Sequence, residues 1–372
     1  MKKYDFVIVG AGLFGSAFAN LCKQNNKSCL IIEKTNQIGG NCYTSNEEDI
    51  IVHNYGPHIF HTDNKEVWEF VNKFSEFNSY RHIGKAFVNG YVYSLPINLN
   101  TIQEVFGVHN PIYIKKILEN ECDKSLNPDT SLENFCLYNI GHTLYNMFIK
   151  HYTQKQWNKD PKDLPASIIK RLPIRHSYND NYFNDRYQGI PVNGYTTMCK
   201  NMINGIDREM NVDFLDSKDA IEKLGDCIIY TGAIDEYYNY CLGKLEYINL
   251  KFETQKLDDI YNYQGTSIVN YTEENFPYTR IIEHKHFDYE RTKDLNYTFI
   301  TKEYPDHSGA NEKKYYPVNT KSNNELYQKY IDIEETRKVV FAGRLGQYKY
   351  FDMDDTIYEA IKLFRIISIF TT

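Results

Sequence analysis

Three glycines near the start of the chain have the spacing of a turn that binds a pyrophosphate. Gly10 ends an apolar stretch, and Gly12 and Gly15 open the amphipathic segment that follows. In such a turn one glycine allows the tight bend, one lets the backbone approach a pyrophosphate, and one lets the helix pack on the strand. The helix then points its N-terminus, which carries partial positive charge, at the phosphates. The spacing therefore predicts a dinucleotide site.

The surrounding elements agree with that prediction. A strand pattern over 4–9 precedes the glycines, a helical pattern follows them, and a second strand pattern ends at Glu33. This carboxylate lies about 20 residues past the glycines, where the partner of a ribose hydroxyl belongs. Flavoproteins with this βαβ unit often place a second glycine pair against the cofactor, and Gly39-Gly40 follows here. The alternative is an ordinary βαβ unit that binds nothing.

Composition limits the class of protein. The chain has 372 residues, which is enough for two or three domains, and a net charge of −7, which argues against general nucleic-acid binding. Eight cysteines without metal-ligand spacing predict reduced thiols and a cytoplasmic protein. No apolar run is long enough to span a bilayer, and no signal peptide precedes the first strand. Some of the 33 tyrosines could donate hydroxyls to a polar ligand.

The rest of the chain indicates a parallel sheet that is interrupted twice. Strand patterns over 212–215, 227–230 and 339–341, with a last helix over 355–370, belong to the sheet domain. A hairpin leads out of it at Asn89-Gly90, because Asn-Gly tolerates the positive φ of a type I′ turn. Residues 100–170 read as helices broken by prolines, and residues 245–318 read as a mostly antiparallel sheet.

Two polar stretches each allow two interpretations. His58 and His61 lie in a segment punctuated by glycine and proline, so they line either an exposed loop or a flavin. No cysteine or acidic cluster accompanies them, and no metal site is predicted. The stretch 152–183 combines Lys and Arg with Trp and Tyr. It suits a nucleotide diphosphate, since guanidinium groups bind phosphate oxygens and rings stack on a base, but equally a solvated basic helix end beside core aromatics.

Taken together, the motifs resemble those of prokaryotic UDP-galactopyranose mutases. They keep the family's order over nearly the whole chain, and their combination is specific although each is weak alone. The motifs are Gly10 to Gly15, the segment 55–62, Lys155-Gln156-Trp157, Leu164-Pro165-Ala166, Lys170-Arg171-Leu172-Pro173, Asn181-Tyr182-Phe183, Pro277-Tyr278-Thr279-Arg280, Tyr315-Tyr316-Pro317, and Gly343-Arg344-Leu345 through Asp352.

The resemblance implies an α/β fold class, with a FAD/NAD(P)-binding Rossmann-like domain, an inserted helical bundle and an inserted antiparallel β-sheet domain. The Rossmann-like domain would be discontinuous, over 1–80, 190–240 and 318–372. The helical domain, which carries a mobile substrate loop, would span 98–172. The sheet domain would combine 81–97, 173–189 and 241–317.

The resemblance also implies an activity. The family binds FAD and interconverts UDP-galactopyranose and UDP-galactofuranose without net redox, which supplies galactofuranose for cell-surface glycans. The flavin must be reduced, and its N5 acts as nucleophile on the anomeric carbon while UDP leaves. The expected partners are the UDP-sugar, a flavin reductant such as NAD(P)H and a second copy in a homodimer, with no nucleic acid and no membrane.

Site residues carry over motif by motif. The expected catalytic set is Arg171, Arg280, His58 and Asp352. The two arginines would stabilise the departing diphosphate, His58 would lie near the isoalloxazine, and Asp352 would lie by the sugar or the flavin. Substrate contacts are expected from Arg171, Arg280, Tyr152, Trp157, Tyr182, Phe183, Asn270, Tyr315 and Tyr350, with Trp157 closing over the substrate to exclude water. FAD contacts are expected from Gly10, Gly12, Phe14, Gly15, Glu33, Lys34, Gly40, Asn41, His58, His61, Gly343, Arg344, Asp352 and Met353.

Two other functions share part of this pattern. A FAD-dependent oxidoreductase with net redox turnover has the glycine turn and the last strand, but it leaves Arg171, Arg280 and the tyrosines unexplained. A non-catalytic nucleotide-sugar binding protein would bind the UDP-sugar without isomerising it.

Overall fold

The computed structural model describes residues 3–170, 173–307, 313–333 and 339–370. Their strands are β1 (Tyr4–Val9), β2 (Cys29–Glu33), β3 (Thr44–Glu47), β4 (Ile50–His53), β5 (Phe60–Thr62), β6 (Gly84–Val88), β7 (Tyr91–Leu95), β8 (Tyr187–Gly189), β9 (Asp207–Met210), β10 (Gly225–Tyr230), β11 (Tyr247–Leu257), β12 (Ile268–Tyr271), β13 (Arg280–Glu283), β14 (Thr298–Asp306), β15 (Tyr316–Pro317) and β16 (Val339–Phe341).

The α-helices follow the same order. They are α1 (Leu13–Gln24), α2 (Lys65–Val71), α3 (Leu99–Phe106), α4 (Pro111–Glu121), α5 (Leu132–Asn139), α6 (Gly141–Leu144), α7 (His151–Trp157), α8 (Ser167–Lys170), α9 (Gly194–Met202), α10 (Lys218–Ile221), α11 (Ile234–Tyr237), α12 (Tyr289–Thr292), α13 (Lys321–Ile331), α14 (Gly343–Gly346) and α15 (Met353–Phe370). A π-helical turn, Tyr145–Lys150, joins α6 to α7.

The chain forms two compact units. The first unit combines Met1–Ser79, Arg186–Asn249 and Glu312–Thr372, and the second combines Tyr80–Asp185 and Leu250–Asn311. The two units are described separately below. The predicted helical domain falls within the second unit, whereas 186–189, 241–249 and 312–317 of the predicted sheet domain belong to the first unit. The separation of a helical from a sheet domain stays a prediction.

The first unit is built on a parallel five-stranded sheet with the order β16-β10-β1-β2-β9. The central strands are apolar because both of their faces are covered, as parallel sheets require. Helix α1 packs on α15, where the ring centroid of Phe18 lies 5.6 Å from that of Phe364. The Phe18 centroid also lies 5.5 Å from that of Phe6 on β1. The α/β class with a Rossmann-like sheet is confirmed.

One strand prediction in this unit is wrong. Residues 212–215 form no strand, and the sheet ends instead on β9, which pairs with β2. Three of the four residues of β9 are exposed and polar, because an edge strand faces solvent and carries charges that discourage pairing with other chains. Phe214, which suggested a buried strand, packs in the core from a turn.

The second unit combines a mixed sheet with a helical layer. Within it the strand order is β11-β14-β13-β12-β6-β7. Strands β12 and β6 run parallel, whereas β12 with β13, β13 with β14, and β6 with β7 are antiparallel. The predicted hairpin is confirmed, with Asn89 and Gly90 at φ of 50° and 82° between β6 and β7. Pro111 begins α4 rather than lying inside a helix, and the side chain of Asn110 caps it.

No helix in the described part of the chain has both the length and the apolar character needed to cross a membrane.

We expect Phe18→Ala to lower the free energy of unfolding by about 3–5 kcal/mol, because a fully buried ring is replaced by a cavity between α1 and α15. Denaturant unfolding followed by circular dichroism measures the change. Tyr358→Ala on α15, where the ring is partly exposed, is the control and should have a smaller effect. Equal losses in the two variants would contradict the packing described.

Candidate active site

The glycine turn of the first unit has no room for side chains. Gly10 has φ of +108°, and a Cβ built on it would lie 2.3 Å from the hydroxyl oxygen of Thr231. A Cβ on Gly15 would lie 2.0 Å from the carbonyl oxygen of Gly10. Bare backbone therefore faces the start of α1, as a phosphate-binding turn needs.

The second glycine pair lies against the first turn. The N–H of Gly39 donates to the carbonyl of Ala11 at 2.9 Å, and a Cβ on Gly40 would lie 3.0 Å from the Cα of Gly12. The structure thus brings together glycines that are far apart in sequence. Nearby, Asn41 donates its side-chain amide to the carbonyl of Lys314.

Glu33 ends β2 beside the same turn. Its carboxylate accepts the Ala11 N–H at 2.8 Å, and its other oxygen accepts both the N–H and the hydroxyl of Thr35. The side chain is buried, whereas its neighbour Lys34 is exposed. A buried carboxylate anchored at the turn lies where a ribose partner was predicted. Phe14 is buried and stacks on the ring of Phe18.

Arg344 ties two aromatic segments of the first unit together. Its guanidinium donates to the carbonyls of Tyr315, at 3.2 Å, and of Phe351. It also lies over the rings of Tyr316 and Tyr350, 5.4 and 5.2 Å from their centroids, which is the range of cation–π attraction. Gly343, at φ of +71°, makes the turn that begins α14 just before it.

Lys313 and Lys314 directly precede the segment Tyr315-Tyr316. The ammonium of Lys314 pairs with Glu236 at 2.6 Å, which fixes the segment next to α11. Lys313 lies over the ring of Tyr55. Burial lowers the pKa of Lys313 to about 7, and the nearby charge of Glu33 opposes that shift. The amine of Lys313 therefore lies close enough to the predicted ribose partner, Glu33, to sense its charge.

His58 is held by backbone and side-chain contacts. Its N–H donates to Nδ1 of His53 at 3.1 Å, its own Nδ1 lies 2.7 Å from the carbonyl of Gly56, and the hydroxyl of Tyr195 donates to its carbonyl. The half-buried His61 lies on β5, which pairs with β8. His58 thus lies in the connection between β4 and β5, and His61 lies on β5. Their predicted position along a flavin stays a prediction.

An acidic group begins α15, where Asp352 and Met353 were predicted to bind FAD. The N–H of Asp352 donates to the carboxylate of Asp355, and its carbonyl accepts the hydroxyl of Thr356. Burial raises the pKa of Asp354, the charge of Asp355 raises it further, and His61 opposes both. His61 therefore lies close to this helix start. The roles predicted for Asp352 and Met353 stay predictions.

In the second unit Arg280 begins β13 and is oriented by a buried acid. Its Nη2 lies 2.9 Å from the carboxylate of Glu303, which is directly opposite on β14 and 1% exposed. Burial raises the pKa of Glu303 and the charge of Arg280 opposes that shift. The hydroxyl of Thr279 also contacts this carboxylate. The ion pair fixes the direction of the guanidinium.

An amide and an imidazole lie near Arg280, and two aromatic rings pack on that imidazole. Asn270 is its partner across β12 and β13, and the Asn270 amide donates to the carbonyl of Lys85 at 3.0 Å. Burial and the charge of Arg280 lower the pKa of His82 to about 3, so the imidazole is neutral. Its ring lies 4.9 Å from that of Tyr182 and 6.3 Å from that of Phe183.

The remaining predicted residues are spread over other elements. Tyr152 and Trp157 lie on α7, and both are half-buried; Trp157 packs against the helical core of the second unit. Tyr315 is buried in the first unit. Arg171 lies outside the described residues.

The sequence interpretation missed His82, Glu303 and Lys313. Glu303 carried a usable signal, since an acid inside an apolar strand calls for a cationic partner and Arg280 lies on a neighbouring strand pattern. His82 and Lys313 had no such signal, because each is buried only by residues distant in sequence.

These two sets of residues define a class of protein. A bare glycine turn with a buried acid at a parallel sheet is typical of enzymes that bind a dinucleotide cofactor. A sequence model of the NAD(P)-binding Rossmann-like domain matches residues 8–74, and one of the UDP-galactopyranose mutase family matches residues 147–350.

Similar proteins extend over the whole chain. A Klebsiella pneumoniae protein named probable UDP-galactopyranose mutase is 40% identical, covering 97% of this chain and 94% of its own. An Escherichia coli protein named dTDP-fucopyranose mutase is 39% identical, covering 96% of each. A crystal structure of a reduced UDP-galactopyranose mutase has the same fold, with a TM-score of 0.76 at 14% identity over 100% of this chain and 95% of that one.

The chain belongs to the UDP-galactopyranose mutase family. It is therefore an enzyme of the isomerase class, and its family implies a flavin cofactor. The residues present fit that cofactor: a turn that a Cβ would fill, the N-terminus of α1 and the buried Glu33 are the parts a FAD diphosphate and ribose require.

We expect Gly15→Ala to lose most of its bound flavin, because the new Cβ meets the Gly10 carbonyl and displaces the turn. The ratio of flavin to protein absorbance after gel filtration measures the loss. Gly107→Ala, whose Cβ would meet nothing within 4 Å, is the control for replacement of a glycine outside the turn and should keep its flavin. Full retention of flavin by Gly15→Ala would contradict the site.

We expect Glu303→Ala to lower the free energy of unfolding by about 3–5 kcal/mol, because Arg280 is left as a partly buried charge without its acid. Thermal unfolding detects the change. Glu290→Ala removes an exposed carboxylate of the same unit and should leave stability nearly unchanged. A stable Glu303→Ala protein would mean that the pair does not organise the strands.

Proposed function

We propose that this chain is a FAD-dependent UDP-galactopyranose mutase that interconverts UDP-galactopyranose and UDP-galactofuranose without net redox. The observation that carries the proposal is Arg280, which the buried Glu303 fixes and which lies near the neutral His82, on whose ring Tyr182 and Phe183 pack. A chain built only for flavin redox chemistry has no need of this cluster. The family to which the chain belongs supports the same conclusion.

The chemistry of the leaving group gives Arg280 its task. When bound and reduced, FAD supplies a nucleophilic nitrogen, N5, for the anomeric carbon. The protein then has to stabilise the diphosphate that departs. A guanidinium matches phosphate oxygens in planar geometry, and Glu303 holds it in place before charge develops. Arg171 would supply a second cation.

The neutral state of His82 suits the same task. A protonated imidazole here would repel Arg280, whereas a neutral one leaves the guanidinium as the charge in the cluster. The His82 ring also packs against Tyr182 and Phe183. In addition, the backbone N–H of Tyr182 donates to the carbonyl of His82 at 2.8 Å. We assign the Tyr182 hydroxyl to a phosphate oxygen and the Phe183 ring to the base.

The other assignments complete the proposal. Tyr152 would hold the uracil, Asn270 would bind the substrate, Trp157 would close over it, and Tyr315 and Tyr350 would donate to phosphate oxygens. His58 and Asp352 would act beside the flavin. The reductant would be NAD(P)H, the protein a cytoplasmic homodimer, and the product galactofuranose a precursor of cell-surface glycans.

A second substrate has one specific observation in its favour. The similar protein from Escherichia coli is named dTDP-fucopyranose mutase, and its identity to this chain nearly equals that of the Klebsiella pneumoniae protein. The ring contraction would be the same. The substrate would differ in a thymine methyl, the ribose 2′-hydroxyl and the sugar carbon-6 hydroxyl, so Arg280 and the FAD site would serve either reaction.

The test supplies each furanose to the flavin-loaded protein. We expect the dithionite-reduced protein to convert UDP-galactofuranose to the pyranose, with the two separated by chromatography, and the oxidised protein to be nearly inactive. Faster turnover of dTDP-fucofuranose would select the second substrate. Stoichiometric oxygen consumption with a sugar substrate and no change in ring size would refute mutase activity.

We expect Arg280→Ala to lower kcat by about 10²–10³, because one preorganised cation at the developing charge is lost, while FAD stays bound. Arg81→Ala, which removes an exposed arginine of the same unit, is the matched control and should keep full activity. Full turnover by Arg280→Ala would remove Arg280 from the diphosphate site.

A further inference from the structure

The ammonium of Lys155 is surrounded by four backbone carbonyls. Its Nζ donates to the carbonyl oxygens of Tyr271 at 2.7 Å, Glu273 at 2.8 Å, and Phe276 and Tyr278 at 3.1 Å each. An ammonium has three protons, so at least one of them is shared between two oxygens. We call these four carbonyls the carbonyl cage.

The cage belongs to the connection between β12 and β13. Asn270 lies just before this connection and Arg280 just after it, and the two are cross-strand partners. The connection is also tied to the helical layer twice, by the hydroxyl of Thr272, which donates to the carbonyl of Met147 at 2.7 Å, and by His151, which lies 2.6 Å from the carboxylate of Glu274. Lys155 is a third contact between this connection and the helical layer.

On its own element Lys155 lies between two residues of the proposed substrate site. It is three positions after Tyr152 and two before Trp157 on α7, and Asn158 ends the helix in the left-handed conformation. One ammonium therefore joins the helix that carries Tyr152 and Trp157 to the hairpin that carries Asn270 and Arg280. Both elements belong to the second unit.

We propose that Lys155 is a positioning residue, whose ammonium holds α7 and the β12–β13 connection in one geometry so that the base-binding and diphosphate-binding side chains fit the same nucleotide. The proposal rests on the proposed function for what those side chains bind. The carbonyl cage itself does not depend on it.

A cation is needed because the cage offers only acceptors. Four carbonyl dipoles that point at one position repel one another unless a positive donor lies between them. Burial lowers the pKa of Lys155 to about 8, and the charge of Glu273 opposes this shift. The other charged groups of this connection and of α7, Glu274 and His151, pair with each other.

The shift has a defined sign. The folded pKa of about 8 lies below the ordinary value of 10.5. Between these two pH values the unfolded chain keeps a proton that the folded chain has lost, so the free energy of unfolding rises with pH. Loss of the proton thus does not unfold the protein, but it removes the charge from the cage. Nucleotide affinity should weaken as pH rises through about 8, without a matching fall in Tm.

The experiment measures UDP binding to the flavin-loaded protein by titration calorimetry below and above the pKa. We expect Lys155→Met to raise the Kd for UDP about ten- to a hundredfold below the pKa, and to abolish the alkaline weakening seen in the wild type. Lys115→Met removes an ammonium whose side chain is 80% exposed on α4 and should match the wild type. Ethylammonium should partly restore UDP binding to Lys155→Ala, whereas tetramethylammonium, which has no donor, should not.

Hydrogen exchange without nucleotide tests the cage separately, because the 271–279 amides should exchange faster in Lys155→Met. Unchanged UDP affinity and pH profile in Lys155→Met would overturn the proposal, even if exchange there increases, since that pattern describes a merely structural lysine. Wild-type protein that binds neither UDP nor dTDP would overturn the proposed function, and with it the role of Lys155. Wild-type binding that Lys155→Met leaves intact overturns the role of Lys155 alone.

Discussion

The ion pair between Arg280 and Glu303 is the constraint on which the substrate site that we propose in the second unit depends. A carboxylate that is 1% exposed is costly to bury unless a cation and hydrogen bonds compensate it. Because the two residues are opposite each other on β13 and β14, the sheet register decides where the guanidinium points. Burial, together with the charge of Arg280 in that position, lowers the pKa of His82 and keeps the imidazole neutral where Tyr182 packs on it.

The first unit depends on a different constraint, which is the absence of side chains at its glycine turn. Glycines from two distant segments let backbones approach closely, and the space so made suits a diphosphate at the start of α1. The same unit holds charges of both signs: Glu33 accepts the backbone N–H of the turn, and the guanidinium of Arg344 lies over two tyrosine rings. Cofactor binding thus depends on backbone shape, whereas the proposed substrate binding depends on oriented side chains.

Backbone carbonyls have a larger part in this molecule than the motifs suggest. Arg344 and Lys155 both use carbonyl acceptors to join segments that are distant in sequence. Lys285, which is fully buried, does the same with the carbonyls of Tyr261 and Leu295. A long cationic side chain can satisfy several carbonyls of an irregular connection at once, which regular secondary structure cannot do for such segments. Composition alone would count these cations as surface charge, whereas in the structure they join backbone segments.

The sequence by itself determined the glycine turn, the hairpin at Asn89-Gly90 and the α/β class, because each depends on local conformation or on periodic burial that neighbouring residues specify. It also sufficed to associate Arg280 with a family motif. It misplaced the edge strand β9, whose polar residues have no hydrophobic pattern. Only the tertiary structure decided the partners of Arg280, the charge state of His82 and the cage around Lys155, since burial and electrostatic contact are created by residues far apart in the chain.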